Sequence, residues 1–135
     1  MIIHPTVLAQ ELANAWLSSP TWNDTLTTLR STYQQRSKSL LDALTSCNLP
    51  DVTWTKPEGG FFTWLTVTGM DPDTDIQHLA LKHGVALIPG RAFFSSAPSE
   101  CNIRLAFSNS TLDQLATGAE RLAAMLQEQG DGKTR

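Results

Sequence analysis

Arg104 stands inside an otherwise apolar run, Ile103-Arg104-Leu105-Ala106-Phe107. Side chains alternate along a strand, so Ile103, Leu105 and Phe107 face one way and Arg104 and Ala106 the other. A cation there needs a partner, because burying an unpaired charge is expensive. The planar guanidinium suits two-point binding of a carboxylate or phosphate. The spacing by itself favours a plainer reading, an edge arginine that reaches solvent or pairs with a structural acid.

The other chemistry-bearing residues carry weaker signals. Gly59-Gly60 precede a strong strand and would let backbone approach a ligand closely. An ordinary turn is the simpler reading, and no helix follows to make a dinucleotide fingerprint. His78 and His83 lack the spacing of three or four that shares a helix face, and His4 lies far away. Asp71, Asp73 and Asp75 form a sparse acidic loop without the glycine and distal glutamate of a calcium loop. Asp73 is read as a helix cap. Cys47 and Cys101 have no metal-ligand spacing and make no disulfide framework. No metal site is expected. Cys47 at a helix end reads as a small core residue.

The elements that must position these residues follow from the pattern. The chain has 135 residues, 41% apolar and 17% charged, which is enough for one packed domain. Its net charge of −3 gives no basic footprint for nucleic acid. No run approaches the ~20 apolar residues of a membrane span, and the N-terminus lacks a secretory pattern. The expectation is a soluble, reduced, cytoplasmic protein.

Leu8, Leu12 and Trp16 predict a helix from Thr6 to about Ser18, ended by Pro20. Trp16 on that isolated amphipathic helix is free to dock onto something outside the chain. A second helix of about 24 residues opens near Asn23-Asp24, carries Leu26, Leu29, Tyr33, Leu40, Leu44 and Cys47, and closes at Asn48-Leu49-Pro50. Val52–Thr55 is a short β-prone run, and Phe61–Val67 is the clearest strand, with Phe62 and Trp64 opposite Phe61 and Leu65. A helix from Asp73 to His83 stops at Gly84. Val85–Ile88 reads as a brief strand before Pro89-Gly90. After the Ile103–Phe107 strand, Ser110 and Asp113 read as a capping box for a final helix bearing Leu112, Leu115, Ala119, Leu122 and Leu126. The order α, α, β, β, α, β, β, α implies an α+β fold, a small, largely antiparallel sheet with helices packed on one face.

Three segments together resemble the C-terminal domain of class I/II aminotransferases of fold type I, and cover nearly the whole chain. They are Pro57-Glu58-Gly59-Gly60-Phe61-Phe62-Thr63-Trp64-Leu65, Gly84-Val85-Ala86-Leu87-Ile88-Pro89-Gly90-Arg91-Ala92-Phe93-Phe94 and Asn102-Ile103-Arg104-Leu105-Ala106-Phe107-Ser108. The resemblance is strongest to the 2-aminoadipate-type subgroup and to the aminotransferase-like half of MocR transcription regulators. It implies pyridoxal 5'-phosphate as cofactor, an amino acid and a 2-oxo acid as substrates, and a homodimer when intact. It assigns the substrate α-carboxylate to Arg104. Arg91 is either a substrate contact or a loop arginine at the domain boundary.

The same resemblance implies what this stretch lacks. The Schiff-base lysine, the acid at the pyridine nitrogen and the phosphate cradle belong to the family's large domain. Lys38 is on a helix face, Lys56 in a turn and Lys133 in the tail, and none stands in a Ser-x-x-Lys context. The expected layout is an interdomain helix over 1–20, a small domain over 21–129 and a flexible tail over 130–135, with a missing large domain or companion subunit supplying the rest. No catalytic residue is expected within the chain, which alone is expected to be inactive, with no direct nucleic-acid or membrane partner. The alternatives are a stand-alone amino-acid-binding module, a MocR regulator fragment and the remnant of a decayed gene.

Overall fold

The computed structural model describes residues 6–131. Contacts divide the chain into two compact units, Met1–Thr32 and Tyr33–Arg135.

The first unit holds helix α1, Val7–Leu17, and the opening turns of α2, Trp22–Ser46. Thr6 caps α1 by accepting a hydrogen bond from the Ala9 N–H. No residue of α1 is buried, and Val7, Leu8, Leu12, Trp16 and Leu17 are all exposed.

The second unit is a four-stranded sheet backed by helices. Strands β1 (Val52–Trp54), β2 (Phe62–Val67), β3 (Ile88–Pro89) and β4 (Cys101–Ala106) lie in the order β1-β2-β4-β3. Every pairing is antiparallel. The fold is therefore α+β, as expected, and the predicted order of elements holds. Thr63, Leu65 and Val67 of β2 and Cys101, Ile103 and Leu105 of β4 are buried on the core face. Leu40 and Leu44 of α2, Ile76 and Ala80 of α3 (Ile76–Lys82), and Leu115, Ala119, Leu122, Met125 and Leu126 of α4 (Leu112–Asp131) complete this core. Each fully buried Leu or Ile contributes about 1.5–3 kcal/mol relative to exposure.

Two contacts fasten α2 beside the end of β4. The Arg36 guanidinium donates to the Ser108 carbonyl, and the Tyr33 ring meets Phe61 edge-on at 5.1 Å.

Three boundaries differ from the sequence expectation. α3 begins at Ile76, not Asp73, and its cap is Asp75, whose carboxylate accepts from the His78 N–H. The Asp73 N–H instead donates to Asp71, holding 71–73 in a turn. The strand expected over 85–88 shrinks to β3, because the Val85 N–H returns to the Ala80 carbonyl and closes α3 through Gly84, at φ +70°. The final capping box is Thr111 with Gln114, each side chain accepting from the other's backbone N–H, rather than Ser110 with Asp113. Helix α4 runs through residues 130 and 131, and the rest of the expected tail, like His4 and Lys133, lies outside the described residues.

Candidate functional site: an arginine between two phenylalanine rings

The face of the sheet away from the helices carries Phe62, Trp64 and Thr66 from β2 and Asn102, Arg104 and Ala106 from β4. Register sets Arg104 directly opposite Trp64 on one side and Ile88 on the other. Directly opposed side chains share a face. A 3₁₀ turn, η1 (Gly90–Phe93), then brings Phe93 and Phe94 onto the same face.

The Arg104 guanidinium carbon lies 4.1 Å from the Phe62 ring centre and 4.4 Å from that of Phe93. Both rings therefore pack against the cation. Ring faces attract a cation, by about 0.5–2 kcal/mol each. They offer no acceptor to its N–H groups. Arg104 Nε is buried without a hydrogen-bond partner. Among the described residues no carboxylate forms an ion pair with Arg104. Of the two plain alternatives, pairing with a structural acid is not seen among the described residues, while the half-buried side chain, on an inner strand, still reaches solvent with part of its fork. With Nε buried, the terminal N–H groups of the fork are those left for an incoming anion. The surrounding depression, about 230 Å³, is lined by Phe62, Ala86, Leu87, Ile88, Arg104 and Ala106. Arg104 is its one charged residue.

A second layer holds the rings. Trp64 meets Phe93 edge-on and Phe94 at a tilt, both with centroids 5.9 Å away. Its indole N–H donates to Asn102 Oδ1, which also accepts from the Thr66 hydroxyl, both at 3.0 Å. The Asn102 amide donates to the Glu100 carbonyl, so this buried side chain has partners at both ends. Gly90 packs over the same point, where a Cβ would lie 2.5 Å from Asn102 Cβ and 2.8 Å from Trp64 Cη2.

The remaining candidates do not converge here. Arg91 forms an ion pair with Asp73. Asp71 and Asp75 serve the turn and the α3 cap. His83 sits 3.4 Å from Glu128. Gly60 takes φ +78° in the turn before β2, and nothing lies within 4 Å of where its Cβ would be. No other part of the chain comes close to that turn among the described residues. Among the described residues no three metal-ligating side chains cluster, and no helix is long and apolar enough to cross a membrane. Both cysteines are free. Burial raises the thiol pKa of each, helped by Asp71 at Cys101 and by Glu120 at Cys47.

The described lysines do not fit a cofactor aldehyde. Lys38 is exposed and paired with Asp42, and Lys56 is exposed. Lys82, a fourth lysine missing from the sequence reading, is exposed in the last turn of α3. None lines the Arg104 depression, so no step through pyridoxal phosphate is derived from these residues.

Sequence reasoning set Arg104 opposite Ile103 and Leu105, and Phe62 with Trp64 opposite Leu65, without saying which face of β2 is the core. It missed Phe93, Ile88 and Asn102. Ile88 had a usable signal, as an apolar β-branched residue just before Pro-Gly.

Residues 1–122 match the family described as aminotransferase class I and II. Aromatic-amino-acid aminotransferase 1 of Thermococcus litoralis is 36% identical over 98 residues, covering 72% of this chain and 23% of that protein. The crystal structure of LysN, the alpha-aminoadipate aminotransferase of Thermus thermophilus complexed with N-(5'-phosphopyridoxyl)-L-leucine, superposes with a TM-score of 0.81. Identity there is 28%, over 93% of this chain and 32% of that one. The HTH-type transcriptional regulator YisV of Bacillus subtilis, itself uncharacterized, is 29% identical over 116 residues, covering 86% of this chain and 24% of the regulator. The chain thus spans about a quarter to a third of the proteins it matches. With residues 1–122 matched by its family model and its fold shared, the chain belongs to the class I and II aminotransferase family.

Proposed function

We propose that this chain is the C-terminal small domain of a pyridoxal-phosphate-dependent amino-acid aminotransferase, of the 2-aminoadipate-type and MocR-like subgroup, and that Arg104 binds the substrate α-carboxylate. The intact enzyme would move an amino group between an amino acid and a 2-oxo acid. The observation that carries the reading is a guanidinium packed against two rings, with no protein acid among the described residues, in an otherwise apolar depression. A carboxylate would meet the terminal N–H groups of the fork, with two parallel N–H···O bonds.

In this reading the layout is an interdomain helix over 1–20 and a small domain from 21 to the end of α4. The exposed apolar side of α1 would face the large domain, which is supplied by a missing segment or companion subunit. The cofactor and its Schiff-base lysine would lie there, and the complete protein would be a cytoplasmic homodimer. The chain alone would not transaminate. Two experiments test this. Acetate titration should shift the Arg104 Nε–H resonance, and Arg104→Gln should abolish binding. Borohydride treatment with cofactor should trap no stoichiometric lysine adduct, and trapping at a single lysine with turnover would overturn the inactivity.

The likeness to YisV favours a second reading, in which the same pocket senses an amino acid within a regulator. Reading the gene upstream of Met1 separates them. A Ser-x-x-Lys with a phosphate cradle supports the enzyme, and a winged-helix segment further upstream supports the regulator.

A further inference from the structure

We infer that the Asp73–Arg91 ion pair is a positioning element of the Arg104 site, fixing η1 so that Phe93 keeps its place against the guanidinium. Its effect on ligand affinity rests on the carboxylate-binding reading of Arg104, whereas its effect on Phe93 does not.

η1 reaches the site with little regular structure around it. It follows the two-residue β3 and leads into a loop that ends at β4. Gly90, at its start, packs against Asn102 and Trp64. Phe93, at its end, meets Trp64 and Arg104. Arg91 lies between these two points, and its ion pair with Asp73 is the polar side-chain tie of the stretch 90–99 among the described residues. A 3₁₀ helix turns once in three residues, so residues two apart leave it on different sides. Arg91 thus holds the turn at residues 71–75 while Phe93 holds the open face of the sheet.

The anchor is well supported. The Asp73 backbone N–H donates to Asp71, and the turn runs into α3, which is capped by Asp75 and buries Ile76 and Ala80 in the core. Asp73, Arg91 and Asn102 line one recess of about 140 Å³. The tie therefore falls beside the residue that holds the Trp64 indole. With Arg91 released, Phe93 would depend on its contacts with Trp64 and Arg104 alone. A ring that stays against Arg104 keeps the fork in one orientation before a ligand arrives, and such preorganisation lowers the cost of binding. Both partners of the pair are more than half exposed, so the effect on affinity is modest, about two- to fivefold.

The test uses the full chain, first without ligand. The Arg104 Nε–H resonance reports the rings beside it, and Phe93→Ala sets the displacement that loss of that ring produces. Asp73→Asn and Arg91→Gln should each move the resonance part of the way in the same direction, and the double variant no further than either alone. The charge swap, Asp73→Arg with Arg91→Asp, should bring it back toward the parent position, which a general softening of the fold would not do. Acetate affinity should follow, about two- to fivefold weaker in the single variants and recovered in the swap. Parent-like resonance and affinity in both single variants, or displacements that add in the double variant, overturn the proposal. A displacement that the swap leaves unrestored overturns it too. If acetate fails to bind the parent chain, the carboxylate reading of Arg104 falls, and the ligand-free resonance by itself decides whether the pair places Phe93.

Discussion

Asn102 holds Trp64 by its indole N–H at 3.0 Å, and Trp64 in turn lies edge-on against Phe93, one of the two rings packed against Arg104. The carboxamide two residues before Arg104 thus reaches the cation through an indole and a phenyl ring, without touching it. Asn102→Leu strips the partner from both the Trp64 N–H and the Thr66 hydroxyl. Leaving such groups unsatisfied costs about 1–3 kcal/mol. Urea unfolding should show a loss of that size, with a shift in tryptophan emission. Acetate affinity should fall several-fold, because the Phe93 ring loses its backing, whereas an unchanged affinity would mean that Phe93 is held by other contacts.

Gly90→Ala should act on the same point from the other side. The added Cβ would meet Asn102 Cβ at 2.5 Å, the Asn102 carbonyl carbon at 2.8 Å and Trp64 Cη2 at 2.8 Å. Backbone is among these neighbours, so a side-chain rotation alone does not clear the clash. Overpacking of this kind costs about 1–3 kcal/mol. Thermal unfolding should show Gly90→Ala well below parent, and Gly118→Ala, where nothing lies within 4 Å of the added carbon, at or above it.

Arg104→Met should separate stability from binding. The two ring contacts contribute about 0.5–2 kcal/mol each. The buried, partnerless Nε opposes them with about 1–3 kcal/mol. Methionine keeps an apolar stem against the rings and removes the orphaned donor. Stability in urea should stay within about 1 kcal/mol of parent or rise, while acetate no longer binds. A loss beyond about 2 kcal/mol would mark the guanidinium as a structural element rather than a ligand-binding one.

The cysteines predict an alkaline weakness. Burial, with Asp71 nearby, raises the Cys101 thiol pKa above its ordinary 9.0, and burial with Glu120 does the same for Cys47. The unfolded chain then releases these protons first as pH rises past about 9, so stability present below that pH is lost above it. Urea midpoints in reductant should drop between about pH 8 and about pH 10, less steeply in Cys101→Ala. Maleimide at neutral pH should modify half-buried Cys47 well before Cys101, which is 3% exposed.

What the sequence revealed depended on the range of the interactions. Alternation in Phe61–Val67 and Ile103–Phe107 is local, so it separates Phe62 and Trp64 from Leu65, and Arg104 from Ile103 and Leu105, before any coordinates. It does not say which face is the core, and core packing, the plainer reading of Trp64, gives way to a half-buried place on the open face. The site's closure was not legible. Phe93 reaches Arg104 because η1 folds over a glycine that fits between Asn102 and Trp64, a packing fact with no periodicity. Caps were missed by one or two residues for a related reason. Asp71, Asp73 and Asp75 are equally good caps by type, and the partner that claims Asp73, Arg91, comes from η1.

The sheet's two outer strands are its shortest, three residues in β1 and two in β3. Pro89 fills half of β3 and carries no N–H. An unpaired strand edge invites another chain to add to it, and short or proline-bearing edges discourage that. β2 and β4 hold the long apolar runs and lie inside the sheet. Strand-on-strand addition is therefore disfavoured at the β3 border of the sheet, and this chain should not grow fibrils through that edge.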